Sequence, residues 1–489
     1  MVILFSAVFI LLGLYVVWCV PYLAFLDHPS HLFREKVLAE YHNPNLGFDK
    51  YFIRNLGLVP NQASDLLVYI LGLVFPISTA SKIFYSLYIL ILPGVGLLFL
   101  RTFRKENMPY AIVFSALTFN HFVIMGNENF FFSLPFFLLF ASLWRGGRNF
   151  SPAVYYGLLA LLATLLYYCH MVGFAAALLL VLTVGIAERR KIRDMALDLV
   201  VFVPGMLLFI IWTFVKIKMQ GPSFHFELFS SLGEKFHSLS SGASPGLLQL
   251  SPAAFAWLYY LGMLFMIVLS IVSKKSEGVK KLALALFGLF LLCILLPRWF
   301  IIFEPGQRFL ILGLFLFTAW FPSNIRIQFG FCVVLIYFTF FLRVKEIQYV
   351  KSTNRIVEHV IEPFEELPSE VRSRDQVILP LILHPFAEYP AFHKSFEYYN
   401  ILHGGMNPHH LASVNHTVRY RKKPPAPDIY RPWEVKKETI GYYDIVLIIG
   451  KEGEGGARLM EYLLSRGFEE AAKNEVTGVF VRKDIESVP

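Results

Sequence analysis

Asp27-His28-Pro29-Ser30-His31-Leu32-Phe33-Arg34 is the stretch on which the chain turns. It follows directly on an apolar run, Ile3 to Leu26, that is about long enough to cross a bilayer. A carboxylate, two imidazoles and a guanidinium therefore stand where the first membrane helix ends. Such groups are cheap at a boundary that water reaches and costly where it does not. Pro29 suits the first turn of a new helix, where its missing N–H is no loss. From Pro29 to Tyr41 the pattern is amphipathic, with Leu32, Phe33, Val37 and Leu38 set among Arg34, Glu35, Lys36 and Glu40. The expectation is a helix lying along the membrane surface with Asp27 at its amino-terminal edge.

Composition fixes the class around that stretch. Of the 489 residues 56% are hydrophobic and 16% charged, where soluble domains carry roughly 25% charge. With a mean hydropathy of +0.56, the chain reads as a polytopic α-helical membrane protein. Its net charge of +9 belongs to membrane topology, since Lys and Arg gather in loops held on the cytoplasmic side, so no nucleic-acid partner is expected. Cys19, Cys169, Cys293 and Cys332 all fall inside apolar runs, with no metal spacing or disulfide framework. The first run has no small-residue cleavage site and is read as retained.

Further apolar runs are Ile83 to Leu100, Pro109 to Met125, Phe130 to Trp144, Pro152 to Cys169, Met171 to Ala187, Ala196 to Val215, Pro252 to Val272, Leu282 to Leu296, Phe309 to Phe321 and Ile327 to Leu342. Ala63 to Ser78 is shorter and carries Asp65. If it does not span, the clusters around Arg101–Lys105, Arg145/Arg148, Arg189–Arg193, Lys274–Lys281 and Arg326 all fall on one side. The count is then about eleven spans, with juxtamembrane helices in the first outer loop.

From about Val344 the charge rises and long apolar runs stop. Gln376–Leu383, Asp444–Gly450 and Val476–Val481 read as strands, and Gly456–Arg466 as a helix. Residues 1–343 are thus a transmembrane domain, and 344–489 a small extracytoplasmic α/β domain. The histidines His384, His393, His403, His409 and His410 show no metal spacing and read as loop residues. Asn415-His416-Thr417 is a glycosylation sequon.

This topology gathers polar residues on one face, the face of Asp27. They are Asn127, Glu128 and Asn129 in a tight turn, His170 between two runs, and Arg298, Glu304, Gln307 and Arg308 near the end of a later loop. The opposite loops are short and mainly basic. The expectation is that the outer groups share one water-facing hollow.

Asp27-His28-Pro29-Ser30-His31-Leu32-Phe33-Arg34 resembles the first-loop pattern of a branch of bacterial and archaeal GT-C glycosyltransferases, in which an aspartate followed by Pro, His, Leu and a basic residue opens the first outer loop. Gly126-Asn127-Glu128-Asn129-Phe130, the lone His170, Gln307-Arg308-Phe309 and an outer α/β tail resemble later landmarks of that branch. The resemblance covers the architecture of nearly the whole chain. Other branches show paired acids at the first-loop site; here His28 follows Asp27, which weakens a two-acid metal site.

The resemblance implies a polyprenyl-phosphate sugar donor, a glycan, lipid or protein acceptor, and a place in the cytoplasmic membrane with the active site outside. Asp27 is then the general base that takes the acceptor hydroxyl's proton. Arg308 and Arg298, with Arg34 behind them, are cations for the leaving phosphate, a task that needs no metal. Glu128 is a second catalytic candidate. His28, His31, Asn127, Asn129, His170, Glu304 and Gln307 are assigned to substrate. Asp27, Glu128 and His170 stay candidate ligands for a divalent ion, magnesium or manganese. One base without a second nucleophile implies inversion at the anomeric carbon.

Each assignment has a structural rival. Asp27 is placed to cap its helix, Arg34 to pair on the surface or snorkel, Asn127 and Asn129 to form turns, and Arg298 to anchor at the interface beside Trp299. Two other functions compete: a non-catalytic subunit of an envelope-polysaccharide assembly complex, and a lipid or sugar transporter. Asp65, Asp198 and His121 are the intramembrane groups a transporter would use, and they form no series.

Overall fold

The computed structural model describes residues 2–220, 226–242, 295–300, 302–372, 376–383, 392–413, 415–427, 434–450 and 454–483, with isolated positions at 262, 265, 266, 268, 269 and 293. The expected spans Pro252 to Val272 and Leu282 to Leu296 lie almost wholly outside these residues, as does His384. The chain divides into two compact units. The first holds Met1–Trp18, Leu58–Ser64 and Ile83–Ile347, and the second Cys19–Gly57, Asp65–Lys82 and Gln348–Pro489. The second unit thus joins residues 19–57 and 65–82 to the carboxy-terminal part of the chain.

Four helices of the described residues are long and apolar enough to cross a membrane: Ile77–Phe103, Glu128–Asn149, Pro152–Cys169 and Ile325–Glu365. A fifth span is Ile192–Val200 with Val203–Met219, if that pair, bent by 55°, counts as one. Val2–Trp18 and Met171–Ala187 are apolar but shorter. The protein is therefore an integral membrane protein. Ala63–Gly72 has 10 residues, a length of about 15 Å, too short to cross about 30 Å of hydrocarbon.

The run Pro109 to Met125 is a chain of short turns rather than one helix: Lys105–Ala111, Ile112–Ala116, Leu117–Phe119 and His121–Ile124. Pro109 lies inside the first, and the Asn120 carboxamide caps the last through Phe122 N at 2.9 Å. Buried Arg343 satisfies the carbonyls freed at the break, donating to Ser115 O at 3.0 Å and to Thr118 Oγ1 at 2.6 Å. Phenylalanine, frequent in the sequence, packs here as ring pairs such as Phe84–Phe132 at 4.9 Å and Phe122–Phe130 at 4.4 Å.

In the second unit a four-stranded sheet is ordered Ile378–Ile382, Ile445–Ile449, Thr477–Arg482 and Phe468–Lys473. The first pair is parallel and the others antiparallel. The first two strands are apolar throughout because both faces are covered. Ile445, Leu447 and Ile449 pack against Val360 and Phe364 on one face, while Val446 and Ile448 meet Leu459 and Leu463 on the other. Pro380 sits in an edge strand, where its missing donor is tolerated. The opposite edge, Phe468–Lys473, escaped the sequence reading because it is charged and bulged, both of which blunt an exposed edge.

Candidate functional site

The expected site residues fall into two sets, one in each unit. In the second unit, the helix His28–Ala39 starts at Asp27 as expected, with Pro29 in its first turn. The Asp27 side chain makes no capping hydrogen bond, so the helix start does not use the carboxylate. Asp27 keeps partial exposure. Burial pushes its carboxyl above the ordinary aspartate value; His31 and Lys394 pull against that, and Glu397 adds to it.

Arg34 does not lie on the surface. It is 2% exposed and holds Asp65, donating from Nε at 3.1 Å and from Nη2 at 3.3 Å. His31 Nδ1 lies 3.0 Å from Asp65 Oδ1 and 2.7 Å from Arg34 Nη2. Thr417 donates to Asp65 Oδ2 at 2.6 Å, and Arg34 Nη1 reaches Leu411 O at 3.4 Å. Burial alone would raise the Asp65 pKa, but Arg34 and His31 outweigh it and hold the carboxylate well below its usual range. Asp65 was legible only as a stray charge in an apolar run, and Thr417 only as part of a sequon.

A second buried carboxylate went unnoticed. Glu397 accepts from Ser30 Oγ, and His410 Nδ1 lies 2.9 Å from its other oxygen. Lys394 Nζ is 3.5 Å away. Lys394 and His410 overcome burial and keep Glu397 below the ordinary glutamate range. The His410 ring stacks on Phe33 at 3.4 Å between centroids and 5° between planes. His410 lies in a loop, as expected, yet its ring is part of the core, and burial lowers its pKa. His28 is buried as well.

In the first unit Gly126, at φ +68°, turns the chain into the helix Glu128–Gly146, with Asn127 at its start. Asn127 Oδ1 accepts from Arg308 Nη2 at 3.3 Å. The Arg308 guanidinium, 8% exposed, stands 5.5 Å from the centroids of both Phe122 and Phe130 and donates to Glu304 O at 3.4 Å. Two neutral oxygens and two ring faces thus lie against this cation at the start of the helix Pro305–Phe317. Glu304, which precedes this helix, adopts a left-handed conformation at φ +46°, a backbone state that costs a non-glycine residue about 1–3 kcal/mol. Burial raises its carboxyl pKa.

The remaining residues of this set have partners of their own. Glu128 is fully buried and accepts from Tyr85 OH at 3.1 Å. Asn129 Oδ1 accepts from Ser64 N at 3.0 Å. His170 caps the helix Met171–Ala187, its Nδ1 accepting from Val172 N at 3.1 Å. Gln307 donates to Ser238 Oγ at 2.9 Å. Arg298 bridges two acids, Glu227 at 3.2 Å and Glu234 at 3.0 Å, so its charge is matched locally.

Among the described residues, the group of three whose metal-ligating atoms all lie within 4.8 Å of one another is His31, Glu35 and Asp65. The Arg34 guanidinium already supplies the positive charge there. His170 Nδ1 is spent on its helix cap.

No family model matches the chain, and no curated protein matches it. Solved structures do. ArnT from Cupriavidus metallidurans in the apo state superposes with a TM-score of 0.58 at 9% identity, covering 100% of this chain and 99% of that one. The same protein bound to undecaprenyl phosphate gives 0.54 at 10% identity, covering 98% and 97%. An oligosaccharyltransferase from Archaeoglobus fulgidus, in complex with zinc and sulfate, gives 0.42 at 13% identity, covering 91% and 68%. The chain shares the fold of ArnT along nearly the full length of both proteins, which supports the GT-C architecture expected from the first-loop pattern.

Proposed function

We propose that the protein is a membrane glycosyltransferase that moves a sugar from a polyprenyl-phosphate carrier to an acceptor outside the cytoplasm. The observation that carries this reading is the fold held in common with a protein whose structure contains undecaprenyl phosphate. In the reaction, Asp27 takes the proton of the acceptor hydroxyl, and the hydroxyl oxygen bonds to the anomeric carbon. The carbon–phosphate-oxygen bond breaks, its electron pair leaves with the lipid phosphate, and the configuration inverts.

Asp27 suits the base because its carboxylate is not used as a helix cap and its raised pKa makes it more basic than an ordinary aspartate. Arg308 suits the phosphate because its guanidinium, beside Asn127 and the Glu304 carbonyl, is a planar fork of the kind that binds phosphate oxygens in pairs. Asn127 holds that guanidinium. Glu128, fully buried and bonded to Tyr85, is given a structural part. Arg34 and Arg298, matched by carboxylates, are given structural parts instead. No step is routed through a metal.

The test is transfer by purified protein from polyprenyl-phosphate sugars, with product stereochemistry read by NMR. Asp27→Asn should abolish transfer and leave donor binding intact. Turnover unaffected by that change removes the base assignment. No transfer from any donor, with intact protein, favours the assembly subunit or the transporter.

A further inference from the structure

At the end of the helix Glu128–Gly146 remote from Glu128, a different set of groups is organised. The two ends are about 28 Å apart, from 19 residues at about 1.5 Å each. The helix Ile192–Val200 meets the helix Val203–Gln220 at a 55° bend. Leu197, Val200, Val203 and Pro204 form, with Tyr156 and Ala160 of the helix Pro152–Cys169, an open apolar groove of about 430 Å³. Leu197, Val200 and Val203 are 42%, 60% and 47% exposed.

Beside the groove lies a basic rim. Asp198, adjacent to Leu197, is 2% exposed. It accepts from Trp144 Nε1 at 3.0 Å and from Arg190 Nη1 at 2.7 Å. Glu188 is taken by Arg145 at 2.7 Å and by Arg190 at 3.1 Å. These two acids are thus neutralised internally. Arg148 reaches Asp198 only at 3.7 Å and is 52% exposed. Arg189, Lys191 and Arg193 are exposed too, against one further acid, Asp194. A hydrocarbon slot beside surplus positive charge has the chemistry of a lipid tail below an anionic headgroup.

We infer that this groove binds an anionic phospholipid of the surrounding bilayer, one acyl chain lying along Tyr156, Ala160 and Val203 and the phosphate on Arg148 and the neighbouring cations. The occupant is a bilayer lipid, not the sugar carrier, because the site lies a full helix length from Asn127 and its partner Arg308. The inference needs only membrane insertion and is independent of the proposed reaction.

Native mass spectrometry of the full chain tests it, using phosphatidylglycerol, phosphatidylcholine and undecaprenyl phosphate as probes. The wild type should retain one phosphatidylglycerol in preference to phosphatidylcholine. Ala160→Phe, which fills the slot, and the paired surface change Arg148→Gln/Arg193→Gln should each weaken that retention about tenfold. The surface pair carries the test if the filled slot prevents folding. Equal retention of both phospholipids, or retention that neither variant changes, overturns the proposal. So does displacement of phosphatidylglycerol by undecaprenyl phosphate with a raised donor KM in Ala160→Phe.

Discussion

Replacing Asp65 by Asn should loosen the helix His28–Ala39 far more than the loss of one neutral hydrogen bond. Asp65 is 1% exposed, and Arg34 is 2% exposed. The carboxylate receives two bonds from Arg34 and one from Thr417, and lies beside His31 Nδ1. An amide leaves the guanidinium buried without its counter-charge. Removing one partner of a buried pair costs about 3–5 kcal/mol, whereas replacing both by neutral groups is often nearly free. Hydrogen exchange across residues 28–39 reads this directly. About 3 kcal/mol of local stability corresponds to roughly hundredfold faster exchange. The double change Asp65→Asn/Arg34→Met should restore most of the protection. The pH dependence has a fixed sign. The folded pKa of Asp65 is depressed, so its contribution is complete above the unfolded aspartate value, about 4, and fades only as pH falls through the lower folded value. Protection should therefore be the same at pH 7 and pH 5. Exchange within about threefold of wild type in Asp65→Asn, or a double variant no better than the single one, would refute this reasoning.

Other consequences are open to measurement. If Asp27 is the base, kcat/KM should rise with pH through a value above the ordinary aspartate range, and Lys394→Met, which removes a cation that lowers that pKa, should move the limb upward; an unmoved limb contradicts the assignment. Arg308→Met should raise the donor KM by about 10–100-fold while Arg308→Lys recovers part of it, and equal KM values in all three proteins would exclude a phosphate role. His170→Ala should lose about 1 kcal/mol of stability as a missing cap while His170→Asn, which keeps an acceptor, stays near wild type; full inactivation by His170→Asn would make the imidazole chemical rather than structural. Gly126→Ala should destabilise the turn by about 1 kcal/mol, because φ +68° disfavours a Cβ, and thermal melts unchanged by that substitution would count against it.

Much of this architecture could be read from local pattern. The break at Asp27, the amphipathic stretch after it and the three strands of the tail each depend on neighbours within a few residues. The first-loop Asp27, the turn at Asn127 and the guanidinium of Arg308 were visible for the same reason: each is polar at the edge of an apolar run. What escaped was pairing at long range. Arg34 read as a phosphate cation or a surface residue because its partner is 31 positions away. Glu397 and His410 looked like ordinary tail residues because Ser30 and Phe33 lie more than 360 positions earlier. A strand as charged as Phe468–Lys473 imitates a loop, since on an edge it is charge that is useful.

The bond from Arg34 to the Leu411 carbonyl spans 377 positions of sequence. During synthesis at about 5–20 residues per second, roughly 20 to 75 seconds separate the emergence of its two ends. For most of that interval a helix rich in acids and bases stands without Glu397, His410 and Thr417, which are still unmade. Chains that stop before residue 397 should be taken for damaged goods by quality-control proteases, however well their membrane helices have inserted.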